Sequence, residues 1–109
     1  MVDKILKASG IKYSRARFMK PPAGTYAVYM DDVETDGPDI MGPGAPITER
    51  HTCTVELYEP TPDDKAEADM EAAITAAGLP YAKQDRYWLQ DVQRYQIVYD
   101  FEYITKRRI

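Results

Sequence analysis

The sequence is poor in the side chains that most often carry chemistry, with one cysteine, Cys53, and one histidine, His51. A single cysteine excludes a disulfide within the chain, and one histidine beside it leaves no cluster of the kind that binds zinc. We therefore expect no metal, no cofactor, and folding in a reducing cytoplasm.

Charge and hydrophobicity argue against two further classes. The chain carries 18 acidic and 14 basic residues, for a formal net charge of −4. A dedicated nucleic-acid binder would neutralise phosphates with a basic excess, so we expect no sequence-specific nucleic-acid binding. No apolar run is long enough to span a bilayer, and no secretory segment follows Met1, so we expect no membrane partner.

No motif of a known catalytic centre is present: a phosphate loop, CxxC, HExxH and GxSxG are all missing. His51 and Cys53 share one face of a predicted strand, as a Cys–His pair would, but their surroundings favour a core cysteine. A group of acids comprises Asp31, Asp32, Glu34, Asp36 and Asp39. It indicates a solvated edge, with a weak divalent-cation site as the alternative. We expect no catalytic residue and no enzymatic activity.

The clearest structural signal is the aromatic stretch at residues 81–104. From its middle onward the side chains alternate, and one row consists of Tyr95, Ile97, Tyr99, Phe101 and Tyr103. Period two with aromatic and β-branched residues is typical of a half-buried strand. A second extended run at 82–90 precedes it across a three-residue turn, which predicts a β-hairpin. We expect Trp88, Tyr99 and Phe101 to be buried.

The first half of the chain predicts one helix and two strands. Residues 2–9 have apolar side chains at helical spacing and end at Gly10, a suitable C-cap. The basic segment 11–20 is interpreted as a solvated connector. Residues 24–33 and 47–59 alternate as strands, and in the second His51, Cys53, Val55 and Leu57 share a face.

A loop is expected between these two strands. Residues 34–46 contain three glycines and three prolines, which cannot maintain a regular ladder of hydrogen bonds. Ile40 and Met41 in its middle are apolar without a local partner. They either fold back on the sheet or dock on another subunit, and the sequence leaves both open.

The best-delimited element is a helix that starts after Thr61, an expected N-cap, with Pro62 in the first helical position. Gly78 and Pro80 end it. Its apolar stripe consists of Ala66, Met70, Ala73, Ile74 and Ala77, and its expected solvated face of Lys65, Glu67, Asp69 and Glu71. Together the elements predict a single α+β domain over residues 1–109. In it, an antiparallel sheet of about four strands carries helices on one face, in the order α-β-β-α-β-β.

Three stretches resemble the tail-completion (tail-terminator, head-to-tail joining) proteins of long-tailed bacteriophages and prophages. They are GTYAVYMDDVETDGPD, ERHTCTVELYE followed by the helix AEADMEAAITAAGLPY, and the closing hairpin KQDRYWLQDVQRYQIVYDFEY. The resemblance covers most of the chain from Gly24 onward and contains no catalytic motif. Segments 11–20 and 42–46 match it least well.

The resemblance implies a structural protein of the virion tail, assembled in the host cytoplasm. Such a protein forms a ring with copies of itself, commonly a hexamer, and contacts the tail tube protein and the head connector while DNA passes through. The candidate contact residues are Asp36, Asp39, Ile40, Met41 and Tyr95. The alternatives are a small adaptor that binds another protein through an exposed sheet edge, and an accessory or inhibitor subunit of an enzyme.

Overall fold

A computed structural model describes residues 1–36 and 46–108 of the chain. They form two helices and six strands: α1 (Val2–Ser9), β1 (Lys12–Arg15), β2 (Tyr26–Asp36), β3 (Pro46–Glu59), α2 (Asp64–Ala76), β4 (Ala82–Lys83), β5 (Tyr87–Leu89) and β6 (Arg94–Arg108). The fold class is α+β, as predicted. No helix in these ranges is long and apolar enough to cross a membrane.

The strands form one mixed sheet in the order β1-β2-β3-β6-β4, and β5 also pairs with β6. The predicted four-stranded antiparallel sheet is therefore wrong in strand number and element order, which is α-β-β-β-α-β-β-β. The sheet has two more strands than predicted, because segment 11–20 contains β1 and because the expected single run 82–90 is divided into β4 and β5. These three strands have two to four residues each, too short for a period of two to show in the sequence.

The segment 11–20 is not only a solvated connector, because it supplies β1. Lys12–Arg15 pairs in parallel with β2 opposite Tyr26 to Tyr29, and the Tyr13 ring lies 6.2 Å from that of Tyr29. Charged Lys12 and Arg15 stay exposed at the ends of the strand. The strand could not be predicted from the basic composition of the segment. It forms because the edge of β2 is available to pair.

The core lies between the sheet and the two helices. The apolar face of α1 (Val2, Ile5, Leu6) and the stripe of α2 (Ala66, Met70, Ala73, Ile74) are buried against alternate residues of the central strands, among them Val55, Leu57, Ile97, Tyr99 and Phe101. Burial of the stripe is thus confirmed except for Ala77, which is exposed. Both helices contribute to the cluster that these alternate residues form, so they cover the same face of the sheet.

Helix α2 begins two residues later than the sequence suggested. Asp63, not Thr61, is its N-cap: its Oδ1 accepts a hydrogen bond from the Ala66 backbone N–H at 3.0 Å. The other carboxylate oxygen accepts from the Thr25 hydroxyl at 2.7 Å. The helix ends as expected, with Gly78 at a φ of +78° after the C-cap Ala77.

The predicted hairpin is confirmed, but the burial of its tryptophan is not. β5 pairs with β6 through Tyr87↔Gln96, Trp88↔Tyr95 and Leu89↔Arg94. Tyr99 and Phe101 are buried, whereas 44% of Trp88 remains exposed. Trp88 lies near the tip of the hairpin, where its ring contacts Tyr95 edge to face with centroids 4.9 Å apart.

The three long strands continue past the core and give the molecule its elongated form, with a longest dimension of 52 Å. We call this extension the arm: β2 from Asp31, β3 up to Thr52 and β6 from Glu102. Of these residues only Tyr103 belongs to the core cluster, and Ile47 is buried apart from it. Glu34, Thr35 and Asp36 belong to β2 and Pro46 to β3, so the expected loop at 34–46 is shorter than predicted.

Candidate functional site

A polar cluster lies at the base of the arm, on the face that the helices cover. The Asp31 carboxylate lies 3.2 Å from Nδ1 of His51 and accepts from the Tyr103 hydroxyl at 3.4 Å. The His51 and Tyr103 rings are stacked with centroids 4.3 Å apart, and Nε2 of His51 lies 3.3 Å from the Thr105 hydroxyl. The cluster joins all three strands where the hydrophobic core ends.

Cys53 also belongs to this cluster, and its surroundings show whether it could act as a nucleophile. Its Sγ lies 3.5 Å from Oδ1 of Asp31, and the side chain has no solvent exposure. Burial, followed by the charge of Asp31, raises the pKa of the Cys53 thiol to about 12. A thiol that stays protonated and cannot meet a substrate is a core residue, as the sequence favoured.

A second cluster, which we call the glutamate cluster, ties the segment 82–89 to α2. Glu67 accepts from Nζ of Lys83 at 2.9 Å and from Nη2 of Arg86 at 2.5 Å. Glu71 accepts from Lys83 at 3.0 Å and from the Tyr99 hydroxyl at 2.9 Å. Two basic side chains from one segment thus bind two carboxylates that lie one helical turn apart.

Glu59 lies under this cluster with no solvent exposure. Within the described ranges neither of its oxygens has a hydrogen-bond partner, and Nε of Arg86 lies 3.5 Å away. Burial, followed by the neighbouring carboxyl of Glu67, raises the pKa of Glu59 to about 7. A protonated Glu59 can donate to Glu67, whereas an ionised one would leave two buried acceptors unpaired.

The pKa of Glu67 shifts in the opposite direction. Burial raises it, but hydrogen bonds from Lys83 and Arg86 outweigh burial and lower the pKa overall. The result is a carboxyl pair in which one member holds the proton and the other the charge. Paired carboxyls can act as acid and base, but here Glu59 is sealed under α2, where a substrate cannot reach it.

The two predicted contact residues that the structure describes, Asp36 and Tyr95, lie far apart. Asp36 is the last residue of β2, at the far end of the arm, where its backbone pairs with Thr48. Tyr95 is half-buried beside Trp88 near the hairpin tip. Since Thr48 lies opposite Lys106, the two positions are eleven residues apart along β6, or roughly 36 Å at the rise of a strand. Asp39, Ile40 and Met41 lie outside the described residues.

The acids considered for a cation site are also dispersed. Asp31 points toward His51, while Asp32 and Glu34 alternate to the opposite face and are exposed. Over residues 1–36 and 46–108, no three side chains of the ligating types come together in a group that could hold a metal ion.

Sequence reasoning missed the glutamate cluster and placed Glu67 on a solvated face, which is wrong because only 6% of it is exposed. One signal was available. Glu59 continues the row of Cys53, Val55 and Leu57, so strict alternation places its carboxyl on the buried face. An acid in such a row requires a partner, and the helix that follows supplies it.

The open face of the sheet is polar with scattered apolar residues. Tyr26 and Val28 are covered at one end, where Tyr26 contacts Phe18 with ring centroids 5.3 Å apart. Toward the arm, Met30 and Ile104 are exposed among acids and threonines. This composition is that of a wet protein interface more than that of a ligand pocket.

No protein-family model and no curated protein sequence matches this chain. The resemblance to tail-completion proteins therefore depends on the three stretches described above.

Proposed function

We propose that this protein is a structural component of the tail of a long-tailed bacteriophage or prophage. Copies of it form a hexameric ring that caps the finished tail tube and joins it to the head. It catalyses no reaction and needs no cofactor. It is assembled in the host cytoplasm and remains in the virion tail.

The observation that carries the proposal is the arm. Ordering a residue costs about 1–2 kcal/mol, and apolar burial is the main compensation. The arm extends three strands past the core, and Val33 and Ile104 there remain exposed. Exposed strand edges invite pairing with another chain, so proteins usually cover or shorten them. A partner that covers the arm accounts for its length, and a ring supplies such a partner to every copy.

Charge is compatible with passage of DNA. A ring built from a chain with net charge −4 repels phosphates more than it binds them. Its partners would be the tail tube protein on one side and the head connector proteins on the other.

Capping of purified tail tubes tests the proposal. Tubes assembled without heads are mixed with the protein, and electron microscopy records density at their ends, followed by the ability to join heads. We expect ring density at one end only, and a variant in which exposed Lys65 on α2 is replaced by alanine to behave like the parent chain. Failure to bind tubes would refute the proposal.

A second candidate is a small adaptor that binds another protein by strand addition. The outer edge of β6 along the arm, which no strand of the described residues pairs with, favours it, because an extended peptide can add there as a further strand. The neighbouring genes discriminate between the two candidates. Genes for tail tube or capsid proteins favour the ring, and their absence favours the adaptor.

A further inference from the structure

The arm has two outer edges. The outer side of β6 pairs with β5 and β4 only as far as Asp100, and from Phe101 to Arg108 no strand in the described ranges pairs with that outer side. The outer side of β2 pairs with β1 as far as Tyr29, and beyond that residue no described strand pairs with it on the side away from β3. Each edge therefore offers at least six consecutive residues to a partner strand.

The hydrogen bonds nearest each edge identify the backbone groups that point outward. The Val98 carbonyl accepts from the Gln84 N–H at 2.9 Å on the outer side of β6. Since alternate residues of a strand point their backbone groups to the same side, Glu102, Ile104 and Lys106 also point outward. On β2 the Tyr29 carbonyl accepts from the Ala16 N–H at 2.8 Å, which places Asp31, Val33 and Thr35 outward.

The two edges differ in charge. Along the β2 edge the sequence places four acids, Asp31, Asp32, Glu34 and Asp36. The β6 edge contains one acid, Glu102, and ends in three consecutive basic residues, Lys106, Arg107 and Arg108. Within one chain β3 separates them, because Asp36 and Lys106 both pair with Thr48. The acidic and basic edges of one copy therefore cannot neutralise each other directly.

We propose that the acidic β2 edge of one copy pairs with the basic β6 edge of a second copy, head to tail. Both strands run antiparallel to β3, so equally oriented copies side by side would join them as parallel neighbours in a continuous sheet. Copies at the same level would place Asp32 beside Glu102, since both pair with Thr52, so the proposed pairing is staggered by four residues along the strands. This stagger brings Asp32 and Glu34 level with Lys106 and Arg108. A contact between two different edges repeats from copy to copy and closes into a ring when the rotation permits. The pairing identifies the subunit interface, and only its closure into a ring rests on the proposed function.

The two symmetrical pairings are less favourable. Two β2 edges would place acids against acids, which costs free energy. Two β6 edges could place Glu102 opposite Lys106, but that dimer would leave every acidic β2 edge uncovered. Only the head-to-tail contact covers both edges of each copy.

Charge reversal of each edge tests the pairing in the full chain. One variant carries D32K and E34K, and the other carries K106E and R108E. We expect each alone to remain monomeric in sedimentation at concentrations where the parent chain associates. A mixture of the two should associate again, because the reversed edge of each variant meets a complementary edge of the other. Two misfolded proteins would not recover on mixing, so rescue excludes a folding defect.

Matched controls change the charge equally elsewhere. D85K with D91K alters two exposed acids of the hairpin segment, and R17E with K20E alters two exposed basic residues. We expect both to associate like the parent chain, and association of the parent to weaken as salt is raised from roughly 0.1 M, because exposed charges are screened.

Several outcomes would overturn the inference. One is a parent chain that never self-associates. Another is normal association of the D32K and E34K variant, as a dimer of two β6 edges would show. The third is a mixture of the two charge-reversed variants that does not associate. Rescue without capping of tail tubes would refute the proposed function and leave the pairing intact. Capping by both single variants would refute the pairing alone.

Discussion

Replacing Glu59 with glutamine should change how the stability of this protein depends on pH. Glu59 has no solvent exposure and its pKa is raised to about 7, first by burial and then by Glu67. Glutamine has nearly the same shape, and its amide N–H can donate to Glu67 as a protonated carboxyl can. The substitution therefore preserves the packing and a possible donor toward Glu67, and it removes the titration.

The sign of this pH dependence follows from whether the folded or the unfolded chain holds the proton of Glu59. Below a pH of about 4.3 Glu59 is protonated in both the folded and the unfolded chain. Between that pH and about 7 the unfolded chain has released the proton and the folded chain retains it, so stability falls as pH rises. A pKa raised by about 2.5 corresponds to about 3 kcal/mol at full ionisation. The lowered pKa values of Glu67 and Glu71 act the other way, at lower pH and in both proteins.

Urea unfolding at a series of pH values checks this. We expect the parent chain and the Glu59→Gln variant to have similar free energies of unfolding near pH 4, and the variant to be about 3 kcal/mol more stable above pH 8. Glu56→Gln, a half-buried position on the opposite face of the same strand, is the control and should show no such divergence. Parallel pH profiles for the parent and Glu59→Gln would refute the reasoning.

Two further predictions concern α2. Ile74→Ala should lower the free energy of unfolding by about 2–5 kcal/mol, because Ile74 is fully buried against the sheet. Substitution of its exposed neighbour, Thr75→Ala, is the control. A loss below roughly 0.5 kcal/mol for Ile74→Ala would contradict the packing of α2 on the sheet. Asp63→Ala should cost about 1 kcal/mol by removing the cap to Ala66, whereas Asp63→Asn retains a capping oxygen. Equal losses for both Asp63 variants in urea unfolding would show that the cap is not the cause.

The long elements of the fold could be predicted from the sequence because each has a periodic pattern over many residues. The alternation from Tyr95 to Tyr103 and the stripe through Met70 and Ile74 both correspond to buried faces. The short strands could not be predicted, since β1, β4 and β5 form because a longer neighbour offers an edge. Trp88 was misjudged because aromatic composition does not say where a hairpin leaves the cover of the helices.

The site was predicted less well than the fold, and for a physical reason. Alternation reports which face a residue occupies, but not which strand edge remains unpaired. The arm edges result from the unequal lengths of paired strands: β6 has fifteen residues, while β4 and β5 on its outer side have two and three. The three basic residues at 106–108 are evident in the sequence. Their proposed role in pairing, however, depends on the acidic edge of β2, which only the fold places two strands away.

Carboxylates serve two opposite purposes at the two ends of this sheet. At one end Glu67 is buried, and Lys83 and Arg86 neutralise it within the chain, which fixes the segment 82–89 on α2. In the arm, Glu34 is exposed and its basic neighbour in the chain, Arg50, is 3.9 Å away. Such an exposed pair contributes at most about 1 kcal/mol to folding. Charge that stabilises the chain so little remains available to another copy, and desolvation at a strand interface would make it count for more.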